Sequence, residues 1–191
     1  GFSRSSFKGD DRTSSPAGDN YRLGLYGGTG WGAVAFRSGI SYTLHELSSK
    51  RSVNFPGVSQ TLTADYHAGS FQAYGELGYR IDLSGAALEP FANLAHVSLH
   101  SNGFSETGGS AALTMGSDTT NTTFTTLGLR GSSDFMLGDM PVVASGTVGW
   151  RHAYGDTDPA SRLAFAGSDS YTIRGSSISQ AAFLLQLGFA M

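Results

Sequence analysis

The stretch SFQAYGELGYRI, residues 70–81, alternates residue by residue between apolar and polar or small side chains. One face carries Phe71 and Leu77, whereas the other carries Glu76 and Arg80. A period of two predicts a β-strand whose two faces differ in polarity. The polar face is too charged for a packed core, and the apolar face is too continuous for water. This arrangement is typical of a membrane β-barrel, in which lipid covers the apolar face and the polar groups face the lumen.

Six further segments repeat this alternation. They are residues 20–28, 34–45, 88–100, 123–131, 142–154 and 180–191. In segment 88–100, Leu88 and Leu94 share one face but Val97 and Leu99 lie on the other, which predicts a β-bulge in this strand. With residues 1–7 as the end of one more strand, the sequence predicts an all-β antiparallel meander of about seven to eight strands.

The connectors between these segments alternate between short and long. Residues 28–32, 82–87 and 135–140 are predicted tight turns rich in Gly and Asp. Residues 8–19, 48–60, 101–122 and 155–179 are predicted long polar loops. In bacterial outer-membrane barrels the short turns face the periplasm and the long loops face the exterior. The same orientation is expected here.

Composition excludes several other classes of protein. The chain has 27 glycines and no cysteine, 14% charged residues and a net charge of -3, with a mean hydropathy of -0.12. This charge offers no basic surface for nucleic acid. No apolar run approaches the roughly 20 residues of a transmembrane helix. No cysteine cluster, His-x-x-x-His pair or calcium loop indicates a metal, and no helix follows Gly28-Thr29-Gly30, so no cofactor is predicted.

Four pieces of the sequence, in order, resemble a known family. They are LEPFA at 88–92, leading to GFSETGG at 103–109, then LGLR at 127–130 and GWRHAYGD at 149–156. Together they are similar to the C-terminal translocator barrel of autotransporters, the type V secretion proteins. The resemblance extends from about residue 20 to residue 191. It implies a twelve-stranded barrel with a helix in its lumen and an aromatic C-terminal residue, so residues 1–191 are expected to form a single partial domain, incomplete at both ends.

The resemblance also implies a function. A barrel of this family would be the pore or anchor in the bacterial outer membrane through which an N-terminal passenger reaches the cell surface. Its implied partners are outer-membrane lipid, the passenger polypeptide and the barrel-insertion machinery. It would not be an enzyme.

Alternation assigns the charged and apolar side chains to opposite faces. The lumen-facing candidates are Arg22, Arg37, Glu76, Arg80, Glu89, Arg130 and Arg151. The expected lipid-facing side chains include Phe36, Ile40, Phe71, Leu77, Leu127, Leu129, Val148, Phe183 and Leu187. Because buried charges are usually paired, we interpret the charged set first as side chains that satisfy one another. Contact with a lumenal helix or a passing chain is the functional alternative.

Four aromatic residues are candidates for the membrane interface. They are Trp31, Tyr79, Trp150 and Tyr154. Trp and Tyr concentrate at the two membrane–water interfaces, where their rings meet the headgroups. Trp31, predicted to lie in a turn, fits such a girdle best, whereas ordinary strand packing is the alternative for the two tyrosines.

Two other functions stay open at this stage. An outer-membrane hydrolase would use His100 with Ser101 and Glu106, or His152 with Asp156 and Asp158, at strand ends. No Gly-x-Ser-x-Gly motif supports this alternative. A soluble all-β binding domain would show the same local alternation, with its apolar face turned to a core.

Overall fold

The computed structural model describes residues 2–6, 14–137, 140–165 and 167–190. Thirteen β-strands make up its elements. They are β1 (Phe2–Ser6), β2 (Ser14–Trp31), β3 (Val34–Phe55), β4 (Val58–Tyr79), β5 (Ile81–Leu83), β6 (Ala86–Ser101), β7 (Phe104–Ser105), β8 (Leu113–Met115), β9 (Asp118–Leu137), β10 (Met140–Gly155), β11 (Ala160–Phe165), β12 (Tyr171–Arg174) and β13 (Ala181–Ala190). In this described part of the chain, no helix is long and apolar enough to cross a bilayer.

One large antiparallel sheet contains the long strands together with β1, in the order β1-β2-β3-β4-β6-β9-β10-β13, with the short β5 paired to β6. Each long strand pairs with the next long strand along the chain. The predicted all-β antiparallel meander is therefore confirmed, including the additional strand near the start of the chain. The predicted loop 8–19 and turn 135–140 fall partly outside the described residues. Their described parts correct the prediction, because residues 14–19 are paired in β2 and residues 135–137 in β9. The predicted turn 28–32 is corrected as well, since residues 28–31 are paired with β3.

The β3–β4 hairpin corrects the predicted loop at 48–60. Pairing continues without interruption from Val34 opposite Tyr79 to Phe55 opposite Val58, and only Pro56 and Gly57 form the turn. Gly57 has a φ of 85°, which favours glycine at this position. A strand of about 9–11 residues crosses a bilayer, so about half of this hairpin would lie beyond the lipid of the expected membrane. In this part neither face needs apolar residues, so the sequence shows no alternation and the strands were not predicted.

A second sheet corrects two more of the predicted loops. Residues 101–122 contain β7 and β8, and residues 155–179 contain β11 and β12. These four strands form a sheet in the order β12-β11-β8-β7. The strands are two to six residues long, too short for periodicity to reveal them.

The predicted bulge in segment 88–100 is wrong. Pairing of β6 with β4 keeps one register from Phe91 opposite Gly78 to Ser101 opposite Ala68, and pairing of β6 with β9 is equally regular. Val97 and Leu99 therefore share a face with Glu89. The apolar pattern ends at this end of β6 because it is required only where the strand crosses lipid.

The register defines the two faces of the large sheet, since residues directly opposite each other in an antiparallel pair point to the same side. One row runs Arg37, Glu76, Asn93, Thr126 and Arg151 across β3, β4, β6, β9 and β10. We call this side the polar face. The next position on each strand gives a second row, Phe36, Leu77, Ala92, Leu127, Trp150 and Phe183, on the apolar face.

Large apolar side chains on the apolar face are exposed. Leu77, Leu127 and Val148 are about half exposed, and Phe183 is 89% exposed. Burial is concentrated elsewhere and involves mainly small residues, with Leu62 the largest fully buried side chain in the described residues. A continuous apolar surface of this kind requires a cover. The soluble all-β alternative would instead bury these residues in a core.

Candidate functional site

Four charged side chains from four strands meet on the polar face. Arg37 on β3 lies directly opposite Glu76 on β4, and Glu89 on β6 lies directly opposite Arg130 on β9. The two pairs are brought together because β4 and β6 are neighbours in the sheet. We call this group the charge quartet.

Each carboxylate of the charge quartet accepts hydrogen bonds from both arginines. Arg130 Nη1 and Nη2 donate to Glu76 Oε1 and Oε2, both at 2.8 Å, and Arg37 Nη1 donates to Glu76 Oε1 at 3.2 Å. Arg37 Nη1 and Nη2 donate to Glu89 Oε1 at 2.7 Å and Oε2 at 3.1 Å, and Arg130 Nη1 donates to Glu89 Oε1 at 2.9 Å. Two positive and two negative charges therefore balance. Paired bonds of this kind fix geometry as well as charge.

Neighbouring residues shape the space around the quartet. Asn93 Nδ2 donates to Glu76 Oε2 at 3.4 Å, and the Arg130 guanidinium lies 3.9 Å from the centre of the Phe91 ring. A Cβ atom at Gly78 would lie 2.8 Å from Glu89 Oε1. Glycine at this position therefore gives the Glu89 side chain its room. Asn93 and Phe91 were not singled out from the sequence, although their strand parity places both on the polar face.

The other three lumen-facing candidates do not join the quartet. Arg22 Nη2 donates to Ser41 Oγ at 3.2 Å and Gln72 Oε1 at 3.5 Å. Arg80 pairs with Asp82 at 2.7 Å, and both side chains are exposed. Arg151 Nε donates to Thr126 Oγ1 at 3.4 Å, and its guanidinium lies 5.6 Å from the centre of the Phe124 ring. Register places Arg22 and Arg151 on the polar face.

Two further polar features adjoin this region. A pocket of about 380 Å³ is lined by side chains that include Arg80, Glu89, Arg130, Ser145 and Gln186. The pocket extends the polar surface from the charge quartet towards β13. Among the residues that the structure describes, no three His, Asp or Glu side chains are placed to hold a metal ion.

The four aromatic candidates all lie on the apolar face. Trp31 and Tyr79 are both opposite Val34, next to the turn between β2 and β3. Trp31 is the last residue of β2, so the prediction that it lies in a turn is corrected. Trp150 and Tyr154 flank His152, whose ring centre lies 5.5 Å and 4.4 Å from theirs. Their role at a membrane interface stays a prediction.

The side chains considered for a hydrolase have separate contacts. His100 Nδ1 is hydrogen-bonded to Thr119 Oγ1 at 2.7 Å, whereas Glu106 is held by Arg51. His152 is stacked between aromatic rings, as described above, and Asp156 Oδ2 accepts a hydrogen bond from the Asn121 backbone. Neither proposed set forms a hydrogen-bonded catalytic group in the described residues.

Comparisons with known proteins agree with this fold. The model of the autotransporter beta-domain family matches residues 1–191. Two curated relatives, both extracellular serine proteases of Serratia marcescens, are 34% and 33% identical over 189 residues, 98% of this chain. The chain spans 18% of the length of these relatives. The translocator domain of the autotransporter NalP from Neisseria meningitidis has the same fold, with a TM-score of 0.54 and 17% identity over 97% of this chain and 70% of that one.

The antiparallel meander and the exposed apolar face define the class as an outer-membrane β-barrel protein. The chain belongs to the autotransporter beta-domain family. The resemblance found in the sequence is confirmed, as are the outer-membrane location and the role in passenger secretion.

Proposed function

We propose that the polar face lines the pore of this translocator and that the charge quartet braces the pore wall. The quartet carries this proposal, because its charges are fully paired with each other across β3, β4, β6 and β9. Such a set leaves little charge to hold a passing polypeptide. It instead ties four strands together at one level of the wall.

The proposal assigns the remaining surfaces to partners. Outer-membrane lipid covers the apolar face, and Trp31, Tyr79, Trp150 and Tyr154 meet the headgroups. Arg22 and Arg151, with hydroxyl and amide partners on the same face, contact the exported segment. The insertion machinery acts on the barrel during assembly, and residues 1–191 work as one partial domain that performs no catalysis.

A charge-swap experiment in the full-length protein tests the brace. Arg130→Glu places a third carboxylate beside Glu76 and Glu89 and is expected to reduce assembly, measured as the heat-modifiable fraction on gels. Adding Glu76→Arg restores one cross-strand pair and is expected to recover part of that fraction. Surface display of the passenger, measured by protease accessibility, is expected to fall and recover in parallel with assembly.

Lys50→Glu is the matched control, because Lys50 is an exposed cation on the part of β3 beyond the bilayer. It is expected to leave assembly unchanged. Normal assembly and display by Arg130→Glu would show that the quartet does not brace the wall. Normal assembly with lost display would instead assign the quartet to contact with the passenger.

A further inference from the structure

The loop between β6 and β9, residues 102–117, lies against the outer half of the β3–β4 hairpin. Pairing of β4 with β6 begins at Ala68, so the part of β4 before residue 68 leaves the edge that faces β6 without a partner strand. The loop takes this place at two points: Asn102 N donates to His67 O at 3.0 Å, and Thr63 and Thr107 exchange two backbone bonds, from Thr63 N to Thr107 O at 2.9 Å and from Thr107 N to Thr63 O at 2.8 Å. The rings of Tyr66 and Phe104 stack nearby, with centres 4.8 Å apart.

From this edge the loop turns over the polar face. Arg51 and Gln60, on the same face of β3 and β4, hold it there. Gln60 Nε2 donates to Ser110 Oγ at 3.0 Å, and Gln60 Oε1 accepts from Ala111 N at 3.0 Å. A Cβ atom at Gly109 would lie 2.3 Å from the Gln60 side chain, so the loop backbone is in close contact with the wall.

A buried ion pair anchors the centre of the loop. Arg51 Nε and Nη2 donate to Glu106 Oε1 at 3.2 Å and Oε2 at 2.5 Å. Glu106 Oε2 also accepts from Leu113 N at 2.9 Å, and Arg51 Nη2 donates to Ala111 O at 3.0 Å. The Glu106 side chain is only 5% exposed. The ion pair therefore joins the hairpin to both arms of the loop.

The second sheet extends this contact to the loop between β10 and β13. β8 of the first loop pairs with β11, and β11 pairs with β12. The four short strands thus form a single layer, which we call the lid. It is attached to the large sheet at the end of the strands away from the short turns, which is the exterior end.

We propose that the lid covers part of the outer mouth of the pore, that the Arg51–Glu106 pair holds it closed, and that it moves aside when the passenger leaves. This inference rests on the proposed function of the polar face as the pore wall. Arg51 shares that face with Arg37, fourteen positions earlier on β3, so the lid lies over the continuation of the same wall. Three backbone hydrogen bonds, one aromatic stack and a small set of side-chain contacts attach the loop to the hairpin. The passenger can displace such contacts without unfolding the wall.

A disulfide lock in the full-length protein tests the movement. Thr63 and Thr107 are directly paired, with their Oγ1 atoms 3.4 Å apart, so Thr63→Cys with Thr107→Cys is placed to form a disulfide. Residues 1–191 contain no cysteine that would compete. The oxidised double variant is expected to lose most passenger display, and reductant is expected to restore it. Each single cysteine variant is the matched control and should display normally.

Glu106→Gln provides a second measurement that does not depend on export. It removes the charge of the anchor with little change in shape, and it is expected to raise the ion conductance of the purified protein in planar bilayers. Normal display by a fully oxidised, heat-modifiable double variant would overturn the proposal that the lid moves aside for the passenger. Absence of display from the unaltered protein and from every reduced variant would instead overturn the proposed function.

Discussion

At the scale of single residues, the charge quartet and the exposed Arg80–Asp82 pair show how burial changes the value of an ion pair. The Glu76 side chain is 9% exposed and has two arginine partners, whereas the Asp82 side chain is 72% exposed and has one. Breaking a buried pair leaves one charge buried without a partner. When an exposed pair is broken, water solvates the remaining charge.

This contrast predicts different costs for two arginine truncations. Arg130→Ala is expected to lower the free energy of unfolding by about 3 kcal/mol, because Glu76 and Glu89 each lose a partner. Arg80→Ala, its matched control, is expected to cost under about 1 kcal/mol. Urea titration in detergent, followed by tryptophan fluorescence, measures both. Equal costs for the two variants would contradict the quartet's structural role.

Glu106 gives the lid a predictable response to pH. Burial alone would raise the pKa of this carboxyl, but hydrogen bonds from Arg51 and from Leu113 N, together with the Arg51 charge, lower its pKa below the ordinary value of 4.5. A lowered pKa in the folded state means that the stabilisation is fully present above 4.5 and is lost as pH falls through the lower folded value.

The lid contacts should therefore persist from neutral pH to about 4.5 and weaken below it. Hydrogen exchange at the Leu113 amide, corrected for the intrinsic rate, measures this change. In Glu106→Gln the protection of this amide should be lower at neutral pH and nearly independent of pH. Protection that stays constant in the unaltered protein at strongly acidic pH would refute the assignment.

At the scale of the element, each long strand has one face for lipid and one for the pore. Leu129 on β9 and Leu99 on β6 are similarly exposed, at 39% and 42%, but lie on opposite faces. Leu129→Arg is expected to destabilise the barrel by about 2 to 4 kcal/mol, because the charge enters lipid. Leu99→Arg should cost far less. Folding titrations into lipid vesicles measure the difference, and equal costs would reverse or remove the face assignment.

Alternation predicted the centres of the long strands but not their ends. Alternation of apolar and polar residues is required only where a strand crosses lipid. Ser48, Ser49 and Lys50 were therefore predicted to lie in a loop, although they are paired in β3. The same reasoning explains the regular strand at Val97 and Leu99. Parity placed the charged candidates, whereas the meeting of Arg130 with Glu76, two strands away, depends on register. Register follows from turn geometry and pairing along whole strands, so it could not be predicted from the local pattern.

At the scale of the whole molecule, the two tryptophans report how the sheet sits in the bilayer. Trp31 and Trp150 are the only tryptophans in the chain, and both lie on the apolar face. If they belong to the interfacial girdles, lipids brominated near the headgroup should quench them more than lipids brominated at the chain end. Trp31→Phe and Trp150→Phe separate the two signals, after replacement of any tryptophan outside residues 1–191. Stronger quenching from the chain ends would place these rings in the bilayer centre instead.

The pairing of β8 with β11 has a consequence for the order of assembly. β9 and β10 lie between them in the chain, and both belong to the wall. Contacts between distant parts of a chain generally form after the local ones that bring them together. The sheet of short strands is therefore completed late, after the neighbouring wall has formed. A polypeptide that enters the barrel during assembly therefore passes an outer mouth that the lid does not yet cover. The mouth narrows only when assembly is complete.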